Sequence, residues 1–243
     1  MNFIATAPST SKRTVEDAWW ETNDAVATPN PSRLPPEAIR AAAAVALPLV
    51  GDEQPSLNRT GLLASFERAE SAAASGDWRT AAELFLTMVE TNPMFGPGYV
   101  GLASASFAIG DLGTGAMALE HAISLYPENP VLHSQLGVAL AHSGHLERAQ
   151  QAFLKVLELE PNNVDAIISL AHLCRASRHY VEAVELLDQA HALEPQNPNV
   201  IGAIGTCALD LGDRAGAEGA YEQLVALMPN HPEVQFLADR LAR

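Results

Sequence analysis

The chain has 243 residues, of which 48% are hydrophobic and 18% charged, and its formal net charge is −15. Residues 1–60 hold 5 of the 14 basic and 7 of the 29 acidic side chains, which leaves 9 basic and 22 acidic ones and a net charge of −13 in residues 61–243. Such a charge repels nucleic acid and anionic lipid, which excludes both as expected partners, and it favours basic ones.

The sequence lacks the signals of a membrane-spanning or secreted protein. No run of about 18 apolar residues is present, so no transmembrane helix is expected. The opening residues MNFIATAPST lack the charged-then-apolar order of a signal peptide. We therefore expect a cytoplasmic protein, with periplasmic export as the alternative. Cys174 and Cys207 are expected to be small buried residues rather than a disulfide or a metal-binding pair.

Residues 1–34 are rich in Ser, Thr, Pro, Asn and Ala without a sustained period, which predicts a flexible tail. Within it, Trp19 and Trp20 stand between acidic residues. Two interpretations stay open: the pair docks into an apolar groove of a partner, or it caps this chain's own first repeat. Residues 35–61 then predict a short Ala-rich capping helix from Pro35 to Leu47 and a loop at residues 51–60.

From residue 62 the chain repeats with a period of 34 residues. Each unit predicts two amphipathic helices with a turn between them, and the units span residues 62–95, 96–129, 130–163, 164–197 and 198–231. Each unit has glycine or arginine at its turn, a small residue near the start of its second helix and a proline after that helix. The prolines are Pro93, Pro127, Pro161, Pro195 and Pro229.

Positions at the ends of the predicted helices carry their own signals. Asn129, Asn163 and Asn197 each stand where the next helix needs an N-cap. Gly113 and Gly115 are each expected to cost helix stability relative to alanine.

The last residues, PEVQFLADRLAR at 232–243, predict one more amphipathic helix. Its polar face carries Glu233, Asp239 and Arg240, and we expect that face to be in water, because a helix with one wet face is suited to ending a stack of repeats.

A 34-residue period with Leu-Gly or Leu-Ala, then Ala-x-x-x-Phe and a closing proline, resembles the tetratricopeptide repeat. The resemblance covers Leu62 to Pro229. It implies an all-α fold, a right-handed α-solenoid of five helix-turn-helix repeats with a C-terminal capping helix and a flexible N-terminal extension.

In that family the first helices of successive repeats line a concave groove that binds partners. The resemblance implies that the groove binds an extended or helical peptide, with hydrogen bonds from His142, His172 and Arg175. The alternative for each residue is packing between repeats. The implied groove residues of this chain are Val100, Ser104, Phe107, Gln135, Val138, His142, Ile168, His172, Arg175 and Thr206.

A subset of the family holds the C-terminal carboxylates of chaperones with a clamp of Lys, Asn and Arg. The corresponding face of this chain lacks the clamp, so co-chaperone binding of that kind is not expected. It carries Glu67, Glu70, Gly101, Ser104 and Gln135.

No catalytic residue, cofactor site or metal site is predicted, and we expect a non-enzyme. His142 and His145 form an H-x-x-H pair, but Glu147 lies past the turn and no second ligand cluster supports zinc. Neither a phosphate-binding loop nor a nucleophile elbow appears. The chain remaining outside the repeats is expected to be too short for a catalytic domain.

The leading functional hypothesis is a scaffold or adaptor that binds a peptide or helix of a partner protein and supports assembly of a larger complex. One alternative is a chaperone like those of type III secretion, which shields an exported client, on the resemblance of residues 95–111, FGPGYVGLASASFAIGD. Another is a permanent structural or regulatory subunit anchored by Trp19 and Trp20. Self-association stays open, because the ends of solenoids stack when capping is imperfect.

Overall fold

The computed structural model describes residues 59–242, and these residues form eleven α-helices. The predicted tail with Trp19 and Trp20 and the Ala-rich helix lie outside the described residues. The helices are α1 Arg59–Ala74, α2 Trp78–Thr91, α3 Gly96–Ala108, α4 Leu112–Leu125, α5 Pro130–His142, α6 Leu146–Leu159, α7 Val164–Ala176, α8 Tyr180–Leu193, α9 Pro198–Leu211, α10 Arg214–Leu227 and α11 Pro232–Leu241.

Consecutive helices pack as five pairs, and α11 packs against α9 and α10 at the end of the array. Each pair also packs on the next, so the core runs along the array instead of forming one central cluster. This arrangement confirms the predicted α-solenoid. The first helix differs from the prediction at its start, because Arg59 and Thr60 are helical and not part of a loop.

The turn inside each pair has the same backbone conformation in all five repeats. Gly76, Gly110, Gly144 and Gly212 adopt φ values of 75° to 85°, a region that costs glycine little. Arg178 occupies the same position in the fourth repeat with φ 62°, although a Cβ makes this conformation unfavourable. The residue after the turn is the N-cap of the second helix.

The capping residues explain where the helices begin. Asp77, Asp111 and Asp213 accept a hydrogen bond from a backbone N–H of the first turn, whereas the exposed His145 and His179 make no such bond. The predicted asparagine N-caps are confirmed, with Oδ1 accepting at 2.9–3.0 Å in front of α5, α7 and α9.

Glycines inside the helices mark places where a ring lies against the backbone. A Cβ at Gly115 would lie 2.8 Å or less from three ring carbons of Phe107, whereas a Cβ at Gly113 would meet only Asp111 Oδ1, at 3.7 Å. The packing therefore predicts that Gly115, unlike Gly113, is more favourable than alanine at its position, because its missing side chain makes room for a buried phenyl ring.

Glycines also explain how the start of α3 packs against its neighbours. Gly96 lies under the ring of Tyr126, and a Cβ at Gly98 would come within 2.9 Å of Val89 Cγ1. Helix α3 begins at Gly96 with Pro97 in its first turn, where proline is tolerated. The small residues allow α3 to pack closely on its neighbours.

Candidate functional site

The predicted groove residues all lie on the first helices of the repeats, α3, α5, α7 and α9. Gln135, His142 and Arg175 are half-buried. The other seven, which are Val100, Ser104, Phe107, Val138, Ile168, His172 and Thr206, are buried. Phe107 has its ring against Gly115 of the next helix, so it packs within its own repeat. Contact of these residues with a partner stays a prediction.

An ion pair joins the fourth repeat to the fifth. Arg175 of α7 donates from Nε at 3.0 Å and from Nη2 at 2.7 Å to Oδ2 of Asp210 on α9. The two side chains are 16% and 27% exposed, so solvent screens the pair less than it screens a surface salt bridge. The remaining guanidinium nitrogen, Nη1, lies 3.1 Å from His172 Nδ1.

These contacts determine the state of the His172 ring. Burial, together with the smaller effect of the neighbouring Arg175 charge, lowers its pKa to about 3. The ring is therefore neutral at neutral pH. Because the arginine can only donate, Nδ1 is the acceptor in their hydrogen bond, and the ring proton is on Nε2.

Glu233 of α11 corrects the prediction for the last helix. It was placed on the wet face with Asp239 and Arg240, which are exposed as expected, but it is only 2% exposed. Burial raises its pKa to about 7, and the Arg175 charge opposes part of that rise. We call His172, Arg175, Asp210 and Glu233 the C-terminal polar cluster.

The burial of Glu233 has no counterpart at the equivalent positions of the preceding repeats. It stands one 34-residue period after Asn199, which is half-buried, and two after Asp165, which is exposed, each the second residue of its helix. Its burial comes instead from Gly202 of α9, whose missing side chain leaves room for the carboxylate.

Four buried side-chain atoms within residues 59–242 have no hydrogen-bond partner. They are Gln135 Oε1, His172 Nε2, His191 Nδ1 and Glu233 Oε2. Gln135 and His172 belong to the predicted groove. A buried polar atom without a partner costs about 1–3 kcal/mol, so such atoms mark places where a bound molecule gains free energy by supplying the partner.

Two further features of the described residues are the arrangement of possible metal ligands and the state of the two thiols. Over residues 59–242, no group of three or more His, Cys, Asp or Glu side chains is arranged to hold a metal ion. Cys207 is buried and Cys174 half-buried, both are free, and burial raises the pKa of both thiols, which disfavours the reactive thiolate. None of the described helices is long and apolar enough to span a bilayer.

Known protein families and relatives match this chain. Two family models described as tetratricopeptide repeat match it, at residues 130–163 and at residues 174–241. Protein FlbA of Caulobacter vibrioides is 26% identical over 163 residues, which cover 67% of this chain and 27% of that protein. The chain therefore corresponds to little more than a quarter of that relative.

Solved structures share the fold. The crystal structure of MamA superimposes with a TM-score of 0.60 at 16% identity, over 70% of this chain and 96% of that one. YrrB, described as a TPR protein with an unusual peptide-binding site, superimposes with a TM-score of 0.59 at 14% identity, over 84% of this chain and 100% of that one. At these identities the likeness is one of fold.

Proposed function

We propose, from the premise that this chain belongs to the tetratricopeptide-repeat family, that it is a non-catalytic scaffold or adaptor acting in the cytoplasm. Repeats of this family are protein-interaction modules. In the proposal, a peptide or helix of a partner protein lies along α3, α5, α7 and α9, and its binding supports the assembly of a larger complex. Loss of the chain should disrupt that complex without abolishing a reaction in purified components.

One observation carries this proposal. The family resemblance implies a groove position for both Gln135 on α5 and His172 on α7, and each has a buried polar atom without a partner in residues 59–242. A peptide backbone supplies both N–H donors and C=O acceptors, so it can satisfy an amide oxygen and an imidazole N–H together. YrrB, whose description names a peptide-binding site, supports the same use of the fold.

The test is affinity capture of partners with the full chain and four variants, quantified by mass spectrometry. Gln135→Leu and His172→Leu remove the two unpartnered atoms while keeping apolar bulk. Gln151→Leu is the matched control, because Gln151 is exposed on the second helix α6. The fourth variant lacks residues 1–34. Circular dichroism of each variant checks that the repeats are folded.

The proposal predicts one partner that is lost with both groove variants and kept with the control and with the truncation. If the truncation alone releases the partner, the tail with Trp19 and Trp20 is the binding segment, and the groove residues serve packing. If the Gln135 and Gln151 variants retain the partner equally, the groove reading is refuted.

A further inference from the structure

The C-terminal polar cluster brings together charges from three helices without balancing them. His172 and Arg175 come from α7, Asp210 from α9 and Glu233 from α11. Arg175 uses Nε and Nη2 on Asp210 and directs Nη1 at His172. The arginine is thus already engaged by Asp210 and His172, and it acts on Glu233 only through its charge.

His172 leaves one donor unused. Its Nδ1 accepts from Arg175, so the neutral ring carries its proton on Nε2. That nitrogen is buried and finds no acceptor among residues 59–242. A carbonyl or carboxylate oxygen would satisfy it.

Glu233 leaves one acceptor unused. Its backbone N–H donates to His231 Nδ1 at 3.3 Å, which places the residue at the start of α11. Its Oε2 is buried without a donor in the described chain. The same oxygen would lie 2.8 Å from a Cβ at Gly202, so the carboxylate rests directly on the α9 backbone, at a groove position that has no side chain.

The nature of the missing ligand follows from these two atoms and from the charge around them. An anionic group would satisfy His172 but would be repelled by Asp210 and Glu233. A cationic side chain satisfies Glu233 and is attracted by the net charge of −13 on residues 61–243. The donor on α7 and the acceptor on α11 lie on the two helices that pack against α9, and an extended main chain crossing α9 offers a carbonyl close to each of its side chains.

We propose that the C-terminal polar cluster binds an extended segment of a partner protein that carries a lysine or arginine, whose cationic group pairs with Glu233 Oε2 while a main-chain carbonyl of the same segment accepts from His172 Nε2. The proposal rests on the proposed function and specifies the class of peptide. It makes Glu233 a residue that selects for positive charge.

Proton release accompanies this binding. Glu233, with its pKa raised to about 7, must be ionised to pair with a cation. The charged group that acts on it from another helix is Arg175 of α7, which itself pairs with Asp210 of α9, and His231 precedes it in the chain. His172 stays neutral over the same range because burial holds its pKa near 3. Affinity for a basic peptide therefore increases from pH 6 to pH 8.

The experiment uses the full chain and two synthetic mixtures of nonapeptides, blocked at both ends and labelled for fluorescence anisotropy. The mixtures share random neutral residues and differ at one central position, lysine in one and norleucine in the other. They are titrated with wild type, with Glu233→Gln and with the control Glu222→Gln, which changes an exposed carboxylate on α10.

Wild type and the control should bind the lysine mixture at least about tenfold more tightly than the norleucine mixture, because only lysine can form a buried charge pair with Glu233. Glu233→Gln should bind both mixtures alike, and the increase in affinity from pH 6 to pH 8 should disappear with it. Failure of wild type to bind the lysine mixture at about 1 mM overturns the proposal.

Two further outcomes separate this inference from the proposed function. Equal binding of both mixtures by wild type, weakened by Gln135→Leu, refutes selection for charge and leaves the groove as a peptide site. Competition of a synthetic peptide of residues 1–58 against the lysine mixture shows that the occupant is the chain itself, which overturns the assignment to a partner.

Discussion

Replacement of Gly115 by alanine tests whether the glycines of these helices serve packing or are merely weak helix formers. Helix propensity alone predicts a gain of up to about 1 kcal/mol for alanine over glycine inside a helix. The structure predicts the opposite sign, because the new Cβ would lie 2.8 Å or less from three carbons of Phe107, where ordinary contacts begin at 3.4 Å. Phe107 is 1% exposed and has no space to yield.

The magnitude follows from these two opposing effects. Overpacking a core typically costs about 1–3 kcal/mol. Subtracting a propensity gain of about 1 kcal/mol leaves a destabilisation of up to about 2 kcal/mol for Gly115→Ala. Gly219→Ala is the matched control, since a Cβ there has nothing within 4 Å, and this change should stabilise α10 by up to about 1 kcal/mol.

Urea unfolding followed by helical circular dichroism measures both variants. A double variant, Gly115→Ala with Phe107→Leu, completes a thermodynamic cycle. The smaller leucine makes room for the methyl group, so the double variant should be more stable than the sum of the single effects predicts. If Gly115→Ala stabilises the chain as Gly219→Ala does, the reasoning from ring packing is refuted.

Three further changes are expected to stabilise the chain, each measured by urea unfolding. Arg178→Gly removes the cost of a non-glycine residue at φ 62° and should gain about 1 kcal/mol, whereas no gain would mean that the turn relaxes in solution. His145→Asp supplies the capping carboxylate that α6 lacks and should gain about 0.5–2 kcal/mol, with Asp213→His losing a similar amount as the reverse control. Glu233→Gln should gain up to about 3 kcal/mol at pH 8, because a carboxyl whose pKa is raised from 4.5 to about 7 disfavours the fold progressively as the pH increases through that interval. That gain should vanish near pH 4.5, and a gain independent of pH would contradict the burial argument.

The periodic part of the fold was predictable because the same constraint recurs five times. Turn glycines, asparagine caps and closing prolines each recur at a spacing of 34 residues. The glycines adopt a left-handed backbone conformation, the asparagines accept from free backbone N–H groups, and the prolines lack the N–H donor that a continuing helix needs. The groove residues lie on the first helices of the repeats, as the repeat order predicts, and their contact with a partner stays a prediction. The groove assignment did not predict how deeply each side chain is buried, because burial depends on contacts with the neighbouring repeats.

The residues that local sequence describes least well are those whose environment comes from a distant part of the chain. Glu233 reads as a surface residue because its own helix is amphipathic, but α9 covers it through the space left by Gly202. Gly115 reads as a helix breaker because propensity is local, whereas the ring it accommodates comes from α3. The Arg175–Asp210 pair spans 35 residues, so neither helix alone indicates it.

The linear arrangement of the core also determines how the molecule opens. Within residues 59–242 each helix pair packs on its neighbours, so the fifth pair has one such interface besides α11, whereas the middle pairs have two. Exchange of backbone amides with solvent should therefore spread inwards from α11. Helix α11 has ten residues and lies at this end of the array, next to the Arg175–Asp210 pair. A molecule bound across α7, α9 and α11 would therefore stabilise the part of the array that otherwise unfolds first.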